Sequence, residues 1–278
     1  MRLLSVRTAQ GHRAGRLDGD DVVLLPFSDV GALLASGDDW RAAAEASGPS
    51  QPYEGSDLAP VVPAPSKVLC LGLNYASHIL EMGRELPPHP TMFAKFARTL
   101  TGPNDPITLP TESDEVDWEV ELALVIGATA RHVSVDQAGA VIAGYTIAND
   151  ISMRDWQWRS AQWLQGKMFE ASTPVGPMLV TTDEFDGDPG APDVEVICEV
   201  DGQVMQQSRT GDLLFTPADI VAYASSILTL DPGDLLLTGT PGGVGAGRDP
   251  KVFLKPGQTV RTSIEGIGQL SNLCQEPG

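Results

Sequence analysis

Three carboxylates stand at alternate positions in the stretch SDEVDWEVELALVIG, residues 113–127: Asp117, Glu119 and Glu121. In an extended chain alternate residues share a face, so these side chains are neighbours and repel one another. The same face continues as Ala123 and Val125, while Val116, Trp118, Val120, Leu122 and Leu124 make the opposite face wholly apolar. Either the acidic face is wet and its charges are hydrated, or a cation sits over them. The apolar continuation favours the cation, because it carries that face into the interior. A further carboxylate, Asp150, closely follows the apolar run AGYTIA. A charge at the end of a buried strand needs a positive partner. Glu119, Glu121 and Asp150 together would form an all-oxygen site, of the kind that selects Mg2+ or Mn2+ and leaves positions for water and substrate. No His or Cys lies close to these residues in the chain, which disfavours Zn2+.

Other reactive groups lie elsewhere. NYASHILEMG reads as a short helix that places His78 and Glu81 at i and i+3, one face apart by one turn. The pair is either a chance feature of a surface helix or a base whose tautomer is held by a carboxylate. The Gly- and Pro-rich GRELPPHP that follows suits the hinge of a lid. Arg154 and Gln157 follow Asp150 by four and seven residues, so a helix begun near Ser152 turns both roughly toward the metal. Thr240 stands in TGTPGGVG, after an apolar strand, where a hydroxyl and backbone N–H groups can hold a carboxylate. That glycine run fits neither a phosphate-binding loop nor a dinucleotide fingerprint. His12, His89 and His132 read as structural or exposed, and Trp118, Trp156, Trp158 and Trp163 as core or interface residues.

The elements around these groups are mostly strands. RLLSVRT and DVVLLPF read as strands about a DGDD turn, and SDVGALLASG as a short helix with Ser28 at its N-cap. A second helix spans about residues 38–47 and ends in a Pro-, Gly- and Ser-rich segment that marks a boundary. VEVICEVDGQVMQQ is a hairpin turning at Asp201-Gly202. TPADIVAYASSILTL is a helix with Thr216 as cap, Pro217 at its first position and Asp219 closing a capping box. Runs of strands with few helices predict an α+β fold. Residues 1–62 are expected to form a small N-terminal α+β domain, and 63–278 the catalytic one.

VDWEVELALVIG, GYTIANDISMRDWQ, GKMFEASTPVGP and LLLTGTPGGVG, in this order, resemble the fumarylacetoacetate hydrolase family over residues 66–270. The resemblance implies a roll of mixed β-sheets around a metal, usually in a homodimer. It makes Glu119, Glu121 and Asp150 the ligands of Mg2+ or Mn2+, with Asp117 behind them. It implies that His78 and Glu81 act as a catalytic pair on a mobile lid, that Lys167 lies near the metal, and that Arg154 and Gln157 contact substrate. Thr240 binds the substrate carboxylate in this picture, and Lys95 matches a lysine at the site entrance. Phe96 and Met168 depart from the Pro and Ser common in the family, which bears on substrate identity more than on the metal. The reaction expected first is hydrolytic C–C cleavage of a 2,4-dioxo acid of the acylpyruvate kind. Isomerisation or decarboxylation of a 2-oxo or hydroxymuconate-type dioate is the alternative, and an acidic cation-binding module the non-enzymatic one.

Charge narrows the partners. Lys and Arg number 18 against 37 Asp and Glu, a formal net charge of −19. Such a chain is repelled by nucleic acid and by anionic membranes, so a small-molecule 2-oxo acid is the expected partner, drawn by a local positive centre. The three cysteines form no metal or disulfide pattern, and no apolar run reaches the length of a membrane span. Together these features predict a cytoplasmic protein.

Overall fold

The stretch 116–126 holds the centre of the molecule. In the computed structural model, which describes residues 1–54 and 56–277, it forms the strands Val116–Asp117 and Val120–Ile126. Its two faces enter two different cores. Val116, Trp118, Val120, Leu122 and Leu124 pack into the larger one, with Tyr145, Val196, Val221 and Ile264. Ala123 and Val125 pack into the other, with Leu3, Leu34, Val175 and Leu237. The alternation read from the sequence is therefore the partition between two cores, and neither face of this strand is wet. An element buried on both sides is the natural middle of a layered α+β fold.

Val120–Ile126 lies inside an eleven-stranded mixed sheet, between Ile142–Asn149 and Leu235–Leu237. Leu235–Leu237 pairs in parallel with Val68–Gly72, which pairs antiparallel with Thr91–Lys95. A separate five-stranded sheet contains the hairpin Glu195–Val200 and Gln203–Arg209, turning at Asp201-Gly202 as expected, and the strands Thr259–Ile264 and Gly268–Gln275. The helix Pro217–Ile227 carries the capping box expected of it, with the Thr216 hydroxyl accepting from the Asp219 N–H. The first helix is shorter than expected, Val30–Leu34. Its cap is Asp29 and not Ser28, because the Asp29 carboxylate accepts the Ala32 N–H while Ser28 hydrogen-bonds only to Asp29.

The N-terminal strands do not form a sheet of their own. Arg2–Thr8 pairs antiparallel with Thr173–Thr181, so the strands up to Ser50–Pro52 extend the eleven-stranded sheet. Leu3, Leu25, Val30, Leu33, Leu34 and Trp40 share their core with Val125, Val175 and Leu237. All three cysteines are free and buried. Among the described residues no helix is long and apolar enough to cross a membrane.

Candidate functional site

Strand ends bring the carboxylates together. Glu119 precedes the strand Val120–Ile126, Glu121 lies within it, and Asp150 follows its antiparallel neighbour Ile142–Asn149. The pairing Val120↔Asn149 sets Asp150 against Glu119, and the Asp150 N–H donates to the Glu119 carbonyl at 2.9 Å. Asn149 locks the turn by accepting the Glu119 N–H at 2.9 Å. One oxygen from each of Glu119, Glu121 and Asp150 then lies within 4.8 Å of the others, and all three residues are buried.

Cations hold this cluster in place. Lys167 Nζ donates to Glu119 Oε2 at 2.6 Å and to Asp150 Oδ2 at 2.8 Å. Arg154 reaches Glu119 Oε1 through Nη1 at 2.7 Å and donates from Nε to Asp117 Oδ2 at 2.8 Å. Lys95 Nζ donates to Asp150 Oδ1 at 2.6 Å. Among the described residues Glu121 accepts only the Gly239 N–H, at 2.7 Å through Oε2, and its buried Oε1 has no partner. Gly239 sits at φ +93°, a backbone shape that suits glycine, and this aims its N–H at the carboxylate.

The electrostatics follow from these contacts. Burial pushes the Glu121 carboxyl well above the usual carboxylate range, and the charges of Asp150 and Glu119 push it further. For Asp150 burial works in the same direction, but Lys167 and Lys95 outweigh it and hold the acid below its ordinary range. Burial opposes the charge on Lys167, yet Asp150 and Glu119 keep it firmly protonated. Burial lowers the His78 imidazole from its ordinary 6.5, with Arg84 assisting and Glu81 and Glu119 opposing. Asp117, Glu119, Glu121 and Asp150, when ionised, face Lys95, Arg154 and Lys167, leaving one net negative charge. A divalent ion fits this set. It would supply the partner that Glu121 Oε1 lacks and turn the local charge positive, which a protein of net charge −19 needs in order to hold an anion.

A cavity of about 300 Å³ opens beside the cluster. Glu119, Lys167, Arg154, Gln157, Thr240 and His78 all line it, so most of the residues expected in the site meet there. Arg154 and Gln157 share the short helix Arg154–Gln157, and Gln157 accepts from Arg154 Nη1 at 2.9 Å. Arg154 Nη2 is buried and has no partner among the described residues. Two expected residues stand apart. Lys95 does not line the cavity at an entrance. It ends the strand Thr91–Lys95, whose pairing with Val68–Gly72 carries its ammonium to the far side of Asp150. Glu81 is exposed, and among the described residues no hydrogen bond joins it to His78. The helix Ala76–Glu81 is held at its start, where Asp212 accepts from the Ser77 N–H and hydroxyl, whereas Glu81 to His89 are all exposed except Pro87.

Of the residues that brace these groups, sequence reasoning missed Gln206 and placed Asp117 behind the ligands without its partners. Gln206 is buried in the hairpin, accepts the Val120 N–H at 3.1 Å and donates to Thr240 Oγ1 at 2.7 Å. Asp117 accepts from the Gly245 and Ala246 N–H groups at 2.7 and 2.9 Å as well as from Arg154, so it ties the glycine-rich loop to the substrate side of the site. The burial of an otherwise unremarkable Gln has no local signal. The acidity of Asp117 was visible, but its partners lie 37 residues away at Arg154 and more than a hundred away at Gly245 and Ala246.

Known proteins resemble this chain in sequence and in fold. Residues 67–274 match the family model described as fumarylacetoacetate hydrolase C-terminal. The chain is 48% identical over 216 residues to an oxaloacetate tautomerase of Rattus norvegicus, covering 77% of this chain and 68% of that protein. Among solved structures, the 5-carboxymethyl-2-hydroxymuconate delta-isomerase of Mycobacterium smegmatis superimposes with TM-score 0.82 and 37% identity over all of both chains. The maleylpyruvate hydrolase of Sphingobium sp. SYK-6, in complex with manganese(II) and pyruvate, does so with TM-score 0.83 and 27% identity, also over all of both. The expected cytoplasmic location is corrected by these likenesses, since the tautomerases of rat and human are mitochondrial by name. Few cysteines mark a reducing surrounding without saying which one. By sequence match and by fold, the chain belongs to the fumarylacetoacetate hydrolase family of enzymes.

Proposed function

We propose that the protein interconverts the keto and enol forms of a small 2-oxo acid in a reaction dependent on Mg2+ or Mn2+, with oxaloacetate the first substrate to try. The observation that carries this reading is the lining of one cavity by Glu119 of the carboxylate cluster, protonated Lys167, the unpaired donor of Arg154 and an imidazole shifted toward its neutral form. A divalent ion on Glu119, Glu121 and Asp150 would supply Lewis acidity toward a 2-oxo acid. Arg154 Nη2 donates to the substrate carboxylate, and Gln157, anchored on Arg154, offers its amide beside it. Lys167 donates toward the oxygen on which charge develops. His78 takes the proton from C3, and the proton is returned to that oxygen, so keto acid becomes enol with no atom gained or lost. The 48% identical rat relative, an oxaloacetate tautomerase, supports the choice of reaction.

Hydrolytic C–C cleavage of an acylpyruvate is the second reading. It is favoured by His78 standing in the cavity as a base for water and by the likeness to maleylpyruvate hydrolase. The missing His78–Glu81 hydrogen bond puts it second. A homodimer belongs to the same proposal and is read by sedimentation velocity. The deciding experiment follows the ultraviolet band of enol oxaloacetate, and in parallel the loss of acetylpyruvate, with Mn2+ and then with excess chelator. Chelator-sensitive acceleration of ketonisation is expected. Rates equal to those in buffer would remove tautomerisation, and fast acetylpyruvate loss in its place would establish the hydrolase.

A further inference from the structure

Gln206 carries the second sheet into the site. It lies on Gln203–Arg209, an edge strand of the five-stranded sheet, and is only 1% exposed. At Met205 that strand is covered by the glycine-rich loop. The fit leaves no room for a Cβ on Gly243, and Arg248 donates to the Met205 carbonyl at 2.8 Å. The whole side-chain amide of Gln206 is engaged. Its Oε1 accepts, at 3.1 Å, the N–H of Val120, the residue between Glu119 and Glu121. Its Nε2 donates to the Pro241 carbonyl at 2.9 Å and to Thr240 Oγ1 at 2.7 Å.

These partners leave the amide one orientation. The Val120 N–H can only donate and the Pro241 carbonyl can only accept, so a flipped amide would set donor against donor and acceptor against acceptor. Nε2 therefore faces Thr240, and the Thr240 hydroxyl is the acceptor of that contact. A hydroxyl has one proton, and among the described residues that of Thr240 has no acceptor. Thr240 is half-buried and lines the cavity, whereas Gln206 does not.

We infer that Gln206 is a positioning residue that fixes the Thr240 hydroxyl as a donor into the cavity, where it recognises an anionic oxygen of the ligand. That this ligand is a 2-oxo acid rests on the function proposed above, whereas the direction of the hydroxyl stands on the amide's partners. Without Gln206 the hydroxyl is free to turn away, toward a Pro241 carbonyl that has lost its own donor.

The test is a double-mutant cycle on Gln206→Leu, Thr240→Val and the two combined. Calorimetry measures oxalate, an anion with acceptor oxygens only, in saturating Mg2+, and Mn2+ by itself. Thr240→Val is expected to weaken oxalate by about tenfold, as for a hydrogen bond to a charged group. Gln206→Leu is expected to weaken oxalate by about fivefold or more beside Thr240, but by no more than about twofold once Thr240→Val is present. Mn2+ affinity is expected to stay within about twofold throughout. Equal weakening by Gln206→Leu in both backgrounds, no weakening in either, or no oxalate binding by the wild type would overturn the role. So would a loss of Mn2+ affinity as large as the loss of oxalate affinity, which would make Gln206 a brace for the strand of Glu119 and Glu121. If Gln206→Leu fails to fold, Thr240→Ser and Thr240→Val decide. A loss in Thr240→Val that is absent in Thr240→Ser upholds the donor, and wild-type oxalate affinity in Thr240→Val overturns it. The expected coupling in an enzyme that accelerates no tautomerisation would uphold the role of Gln206 and remove the proposed reaction.

Discussion

Glu121 shows how a single residue can be read as half of an interaction. Its Oε1 is buried, unpartnered and beside two other carboxylates. A side chain in that position destabilises the protein until a cation arrives. Glu121→Gln keeps an acceptor for the Gly239 N–H and removes the charge. With chelator present the variant should be more stable than wild type by about 1–2 kcal/mol, while Mn2+ binding seen by calorimetry should vanish. Retained Mn2+ affinity would show that the ion sits elsewhere. His78 makes a second claim at this scale. Burial lowers its pKa from 6.5, so the neutral base is present at pH 7 and is lost only as pH falls below that ordinary value. The acid limb of the kcat/KM profile should have its midpoint below pH 6.5 and should be absent in His78→Ala. A limb centred above 6.5 would assign the titration to another group.

At the scale of elements, the helix Ala76–Glu81 and the loop after it are held unevenly. Ser77 is tied to Asp212 and Tyr75 bridges to Leu213, while Gly83 turns the chain at φ +66° and the segment beyond is exposed. Local stability should therefore fall along residues 76–90, and oxalate with Mg2+ should raise amide protection across 83–90 more than across 74–77. Equal protection with and without oxalate would argue against a closing lid. The opposing element is the glycine-rich loop, which comes so close that a Cβ on Gly242 would lie 2.9 Å from His78 Nδ1. Gly242→Ala should push the imidazole aside. A fall in kcat of about tenfold or more, with unchanged Mn2+ affinity and a melting temperature near wild type, is the expected signature. No change in kcat would mean that the position of His78 is not critical.

At the scale of the whole molecule, one sheet runs through the boundary suggested by the Pro- and Gly-rich segment. The pairs Arg2↔Val180 and Leu3↔Leu179 join the N-terminal strands to the strand Thr173–Thr181, which in turn pairs with the strand leading to Asp150. Residues 63–278 expressed alone would leave that edge unpaired and uncover Val175, Leu179 and Leu237. We expect the truncated chain to aggregate or to melt at least about 10 °C below the full chain, in line with the loss of several buried side chains. Equal melting temperatures would make the N-terminal part an independent addition.

The carboxylate triad and the α+β class were legible because their signals are local and periodic. Alternation over residues 116–125 separates the two core faces, and a carboxylate straight after an apolar strand announces a counter-charge. Caps such as Thr216 with Asp219 likewise lie within one turn. Lys95 and Gln206 carry no such mark, since each is an ordinary polar residue until distant chain segments meet. Burial turns Lys95 from a side chain at an entrance into the counter-ion behind Asp150, and a strand pairing across the chain decides it. The residue pattern alone determined that three carboxylates, suited to an oxygen-ligated cation, meet in a strand-rich fold. Which cations neutralise it, and what its cavity presents to a substrate, were decided by tertiary contacts. Coulomb energy depends on distance in space and on burial, and neither is set by separation along the chain.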